Sequence, residues 1–153
     1  MFSSSGELTP REVAVQLLAR REYSRAELTR KLQQRSFQAD AIAACLDALQ
    51  EQSLQSDERF AESFIRSRIL RGQGLIRIKG ELRQRGVDKE TSVTALENVE
   101  EQEAVDWFEL ARDTLARRFT TLGETPKDRA KRERFLATRG FDFEQIRYAL
   151  SCL

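Results

Sequence analysis

Leu82-Arg83-Gln84-Arg85-Gly86-Val87 has two counterparts in the same chain, Leu32-Gln33-Gln34-Arg35-Ser36-Phe37 and Leu136-Ala137-Thr138-Arg139-Gly140-Phe141. All three read Leu-x-x-Arg, then Gly or Ser, then a large apolar residue, and their first residues stand 50 and 54 positions apart. Self-similarity at such a period marks a repeat architecture. Fourteen residues beyond each leading Leu comes another, at Leu46, Leu96 and Leu150. In the outer copies Ile42, Cys45, Leu46 and Leu49 match Ile146, Ala149, Leu150 and Leu153, a spacing that lines one helix face. Upstream, Ala14, Leu17, Leu18 and Arg21 correspond to Ala61, Phe64, Ile65 and Arg68, and Leu18-Ala19-Arg20-Arg21 returns as Leu115-Ala116-Arg117-Arg118. Each unit therefore predicts a front, a middle and a rear helix, with the length variation placed in the loop between front and middle.

Helix punctuation agrees. Thr9-Pro10-Arg11-Glu12, Ser24-Arg25-Ala26-Glu27 and Thr125-Pro126-Lys127-Asp128 each set a hydroxyl at the N-cap and an acid three residues on, two with Pro in the first turn. Ser56 or Asp57, Asp88 and Asp142 read as simpler caps. Gly86 and Gly140 fall where a middle helix must stop in the left-handed region, and Ser36 costs about 1 kcal/mol if it adopts that conformation. The spacing predicts helices over 10–21, 24–35, 39–51, 57–71, 75–85, 89–99, 102–119, 126–139 and 142–152, and no strand. The expected fold is all-α: a tail over 1–8, then three tandem three-helix repeats over 9–53, 54–100 and 101–153. Units that bury only small cores alone must stack, giving an elongated, curved body suited to embracing a large partner.

The 153 residues are 33% charged and 40% hydrophobic, too apolar for disorder. The 26 Lys and Arg against 25 Asp and Glu leave a formal +1, unlike a strong autonomous DNA binder. With no His, the usual general base and the commonest transition-metal ligand are both missing, which disfavours an enzyme or a metal cofactor. Cys45 and Cys152 lie far apart in no metal spacing; Cys45 is expected buried on a core face and Cys152 near a fraying end. No apolar run is long enough to span a membrane and 1–7 show no secretory signature, so a cytoplasmic protein is expected.

Charge is sorted along the chain. Over 66–85 seven basic residues face Glu81 alone, a local +6; 117–139 carries +5; 88–113 carries −7. Arg68, Arg71, Arg77 and Lys79, with Arg118, Lys131 and Arg132, are candidates for one basic strip. The equivalent Arg21, Arg68 and Arg118 each end a front helix, where they read equally as partner-binding residues or as cations placed against the helix dipole. Arg35, Arg85 and Arg139 read first as C-terminal capping cations. Arg71-Gly72-Gln73-Gly74 offers Gly-x-Gly but lacks the third Gly, the strand and the acid of a dinucleotide site, so a nucleotide cofactor is rejected. The two glycines suit a tight turn, or a backbone brought close to a partner. Trp107 and Phe108 read as core or inter-unit packing.

Asp57-Glu58-Arg59-Phe60-Ala61, Ser67-Arg68, Gly72-Gln73-Gly74, Arg77-Ile78, Glu81-Leu82 and Arg139-Gly140-Phe141 resemble the RecX family of recombination regulators, over about Val13 to Leu150. The family's usual glycine is absent at Ser36. The resemblance implies an all-helical protein of three tandem three-helix units that binds the groove of the RecA filament on single-stranded DNA. It also implies inhibition of filament extension, ATPase and strand exchange, as a negative modulator of recombination and the SOS response. From the residues, the partner-binding set is Arg21, Arg68, Arg71, Arg77, Lys79, Arg118, Lys131 and Arg132, on a monomer with possible DNA phosphate contacts and no membrane association. The alternative is a direct nucleic-acid binder built from helix-turn-helix-like units.

Overall fold

The computed structural model describes residues 7–153; of the tail expected over 1–8, residues 1–6 lie outside the described residues. The described residues form nine α-helices and no strand. The first unit holds α1 (Pro10–Leu18), α2 (Arg25–Gln34) and α3 (Ala39–Glu51); the second α4 (Asp57–Leu70), α5 (Leu75–Gln84) and α6 (Lys89–Gln102); the third α7 (Trp107–Arg118), α8 (Pro126–Thr138) and α9 (Phe143–Ser151). The capping boxes at Thr9, Ser24 and Thr125 all form, and a fourth pairs Asp142 with Gln145. Ser36, Gly86 and Gly140 share the left-handed backbone that ends each middle helix, at φ of 68°, 82° and 99°.

Three separate cores follow the repeat. Ala14, Ala61 and Ala111 are fully buried at equivalent front-helix positions, as are Leu32, Leu82 and Leu136 in the middle helices. Each such Leu contributes about 1.5–3 kcal/mol by leaving water. The chain exposes 9603 Å², against about 8,000 Å² for a compact monomer of 17.7 kDa.

Three expectations need correction. The first helix ends at Leu18, and the three extra residues of the second unit lengthen α4 rather than a loop. Gly72, at φ 75°, stops α4 late, with the N–H of Gln73 donating back to the carbonyl of Arg68 at 3.0 Å. The seventh helix begins at Trp107, not near 102, because Val99 packs the last turn of α6 into the middle core, Ala104 turns left-handed, and the Asp106 carboxylate caps Phe108 and Glu109. Cys45 is half-buried at the edge of the Ile42, Leu46, Leu49 stripe, not fully covered. Burial still pushes its thiol above the ordinary range, with Arg11 pulling the other way.

The units join end to end through their middle helices. At the first junction Ser24 Oγ, the N-cap of α2, donates to the carbonyl of Arg85 at the end of α5, at 2.7 Å. At the second, the N–H of Gly74, the N-cap of α5, donates to the carbonyl of Arg139 at the end of α8 at 2.7 Å, and Ile76 N–H to Gly140 at 3.1 Å. The order α8, α5, α2 thus forms a head-to-tail column, each carboxyl end meeting the next amino end. Trp107 adds a bolt, buried in the middle core although it opens α7, its Nε1 donating to Glu100 at 2.7 Å. Phe108 remains partly exposed, edge-on to Tyr148.

Candidate partner-binding face

Two clefts open beside the column, one at each junction, and Arg71 lines both. The first, about 370 Å³, gathers Arg21, Arg68, Arg71 and Arg85 with Ser63 and Ser67. The second, about 290 Å³, gathers Arg71, Arg117, Arg118 and Arg139 with Thr114 and Phe135. Arg21, Arg68, Arg71 and Arg118 of the expected partner-binding set therefore line these two adjoining clefts.

The remaining four are placed differently. Arg77 lies one step aside, its Nε 3.3 Å from Glu81, the carboxylate that also holds Arg68. Lys79 borders a separate cleft with Arg83 and Lys89. Arg132 ties α8 to the preceding loop by donating to the carbonyl of Thr121 at 2.7 Å, and donates to the carbonyl of Asp128 in its own helix at 2.9 Å, with its guanidinium over Phe119. Lys131 is exposed on α8 and lines neither cleft.

Arg85, Arg117 and Arg139 were not in the expected partner-binding set, Arg85 and Arg139 having read first as capping cations. Arg85 and Arg139 do stand at helix C-caps, but their side chains reach across the junctions: Arg85 Nη1 to Glu27 at 2.9 Å, Arg139 Nη1 to the carbonyl of Arg71 at 3.2 Å. Their threefold equivalence with Arg35 was the available signal. At Arg35 no unit follows, and the side chain is exposed.

Electrostatics separate the two clefts. At the first, Glu27 accepts from Arg21 at 3.4 Å and Arg85 at 2.9 Å, and Glu81 accepts from Arg68 at 3.0 Å. The Arg68 side chain is only 13% exposed, and it shares the face of Phe64 with Arg85. Arg68 is thus a packed structural cation as well as a member of the face. The second cleft has no carboxylate in its lining, and no ion pair among the described residues involves Arg71, Arg117, Arg118 or Arg139.

The Gly72-Gln73-Gly74 loop has its close partner within the chain. A Cβ on Gly74 would stand 2.5 Å from the carbonyl oxygen of Gly140. Among the described residues no cluster of potential ligands could hold a metal ion, and no helix is long and apolar enough to cross a membrane.

Comparison with known proteins matches three family models in series: RecX first three-helix domain at 11–49, second at 56–96 and third at 104–150. The chain is 55% identical over 148 residues to "Regulatory protein RecX" of Chromohalobacter salexigens, covering 97% of this chain and 95% of that one. It is 43% identical to the protein of that name from Pseudomonas fluorescens, over 92% and 89% of the two chains. Among solved structures, RecX from Lactobacillus salivarius superposes with a TM-score of 0.74 at 22% identity, over 94% of this chain and 96% of that one.

Proposed function

Because the chain belongs to the RecX family of regulatory proteins, we propose that it lodges in the groove of the RecA filament on single-stranded DNA and opposes filament extension, ATP hydrolysis and strand exchange. It acts in this reading as a cytoplasmic monomer and a negative modulator of recombination and the SOS response. The observation that carries the reading is the face of arginines running across both unit junctions on a body of three serial cores. Charges spread along an extended body suit a long polyanionic or acidic groove, where many weak contacts accumulate and steer association.

The deciding experiment is RecA ATP hydrolysis on single-stranded DNA with the protein added. Substoichiometric protein lowers the steady rate and slows filament growth; an unchanged rate at several-fold excess over RecA removes the proposal. Direct nucleic-acid binding is the second reading, favoured by the carboxylate-free lining of the second cleft. A salt series on free DNA separates the two, because phosphate-driven affinity falls steeply with salt and needs no RecA.

A further inference from the structure

Thr114 occupies, in the repeat, the front-helix position held by Leu17 and Phe64. It is 6% exposed, lines the second cleft, and its Oγ1 is buried with no hydrogen-bond partner. A hydroxyl set where the sister units carry apolar side chains, with no partner in the chain, leaves an unused donor at the wall of the cleft.

The arginines around it lack a counter-charge for a reason legible in the repeat. Counting back from the equivalent Leu32 and Leu82, the position of Glu27 in the first unit is Arg77 in the second. Glu27 is the acid that neutralises Arg21 and Arg85 across the first junction. At the second junction that acid has become a cation, which leaves Arg139, the counterpart of Arg85, without one; Arg118, the counterpart of Arg68, lacks its acid because Phe135 stands at the position of Glu81. Convergent like charges repel, and guanidinium groups suit bidentate capture of tetrahedral oxyanions.

We infer that the cleft between the second and third units is a binding site for a phosphate group, held by Arg71, Arg117, Arg118 and Arg139 with the Thr114 hydroxyl as a neutral donor. Its volume, about 290 Å³, sits at the lower end for ligand pockets and suits a small charged group. The phosphate comes either from a small free anion or from a nucleic-acid backbone. The assignment concerns the isolated chain, so it stands or falls separately from the RecA reading.

The test uses the whole protein at fixed ionic strength, titrated in one arm with inorganic pyrophosphate and in the other with a short thymidine oligonucleotide, against chloride. Thermal shift and calorimetry are the readouts. Phosphate in at least one arm raises the melting temperature by several degrees. The Arg117→Gln/Arg118→Gln variant binds at least tenfold more weakly, and Thr114→Val loses affinity several-fold while its ligand-free melting temperature is unchanged or higher. Arg83→Gln/Lys89→Gln, which removes the same charge from another face, behaves as the parent. A response in the pyrophosphate arm identifies a free anion as ligand; a response in the oligonucleotide arm alone identifies backbone phosphate. No response in either arm, or equal loss in the two double variants, overturns the site.

Discussion

Gly74→Ala isolates the junction between the second and third units. Gly74 has an ordinary φ of −86°, so alanine suffers no backbone strain there. Its methyl would instead meet the carbonyl oxygen of Gly140 at 2.5 Å and the N of Phe141 at 2.8 Å. Backbone cannot rotate aside like a side chain, so the ends of α5 and α8 must separate. Two hydrogen bonds go with that movement, Gly74 to Arg139 and Ile76 to Gly140. At about 0.5–1.5 kcal/mol each they sum to about 1–3 kcal/mol. The stiffer unfolded chain returns about 0.4–1 kcal/mol, leaving a net loss of about 1–2 kcal/mol. For a chain of this length that lowers the melting temperature by about 2–8 °C. Gly80→Ala, in the same helix with nothing within 4 Å of the added methyl, is the control and gains about 0.5–1 kcal/mol. Thermal melting gives the totals, and amide exchange at residues 74 and 76 locates the damage. If Gly74→Ala melts with the parent and both amides stay protected, the head-to-tail bonds are not what joins these units.

Three further outcomes are expected from particular contacts. Arg68, a candidate for the basic strip, is packed against Glu81 over Phe64, so Arg68→Glu loses about 2–3 kcal/mol in chemical denaturation. Exposed Arg71→Glu changes stability by no more than about 1 kcal/mol yet loses inhibition of RecA ATPase, and full inhibition by that variant would take Arg71 out of the site. Backbone N–H groups of Glu124 and Thr125 hold the Asp128 carboxyl below its usual range, and Thr91 does the same for Asp88. A carboxyl with a lowered folded-state pKa stabilises above the ordinary carboxylate range and ceases to as pH falls through that lowered value. The Asp88→Asn/Asp128→Asn variant therefore melts below the parent at neutral pH and converges on it in acid, whereas a gap independent of pH contradicts the assignment.

The repeat and its punctuation were legible because both are local. Leu-x-x-Arg-Gly needs only its own helix end, and Thr9, Ser24 and Thr125 cap within three residues of themselves. Boundaries failed where tertiary packing chose between equally helical stretches, as with the acidic run at 100–103, which Val99 draws into α6. The charged face was legible in composition and not in detail. Whether Arg68 is a surface contact or a packed cation depends on Glu81 thirteen residues away, and the reach of Arg85 to Glu27 depends on how two units dock. The exchange of Glu27 for Arg77 was available in the repeat alignment, but its meaning needed the junction.

The column of middle helices bears on how such a chain could have lengthened by duplication. An interior joint needs no new interface chemistry, since the groups that meet are those every helix leaves unpaired at its ends. A copied unit arrives already carrying one donor end and one acceptor end. At the amino end of α8, Thr125, Pro126 and Asp128 satisfy those donors from within, whereas the interior amino end at Gly74 has no side-chain cap and borrows its acceptors from the neighbouring unit. A capped amino end is compatible with such a joint as well, since Ser24 both closes a box with Glu27 and donates to the carbonyl of Arg85 in the neighbouring unit.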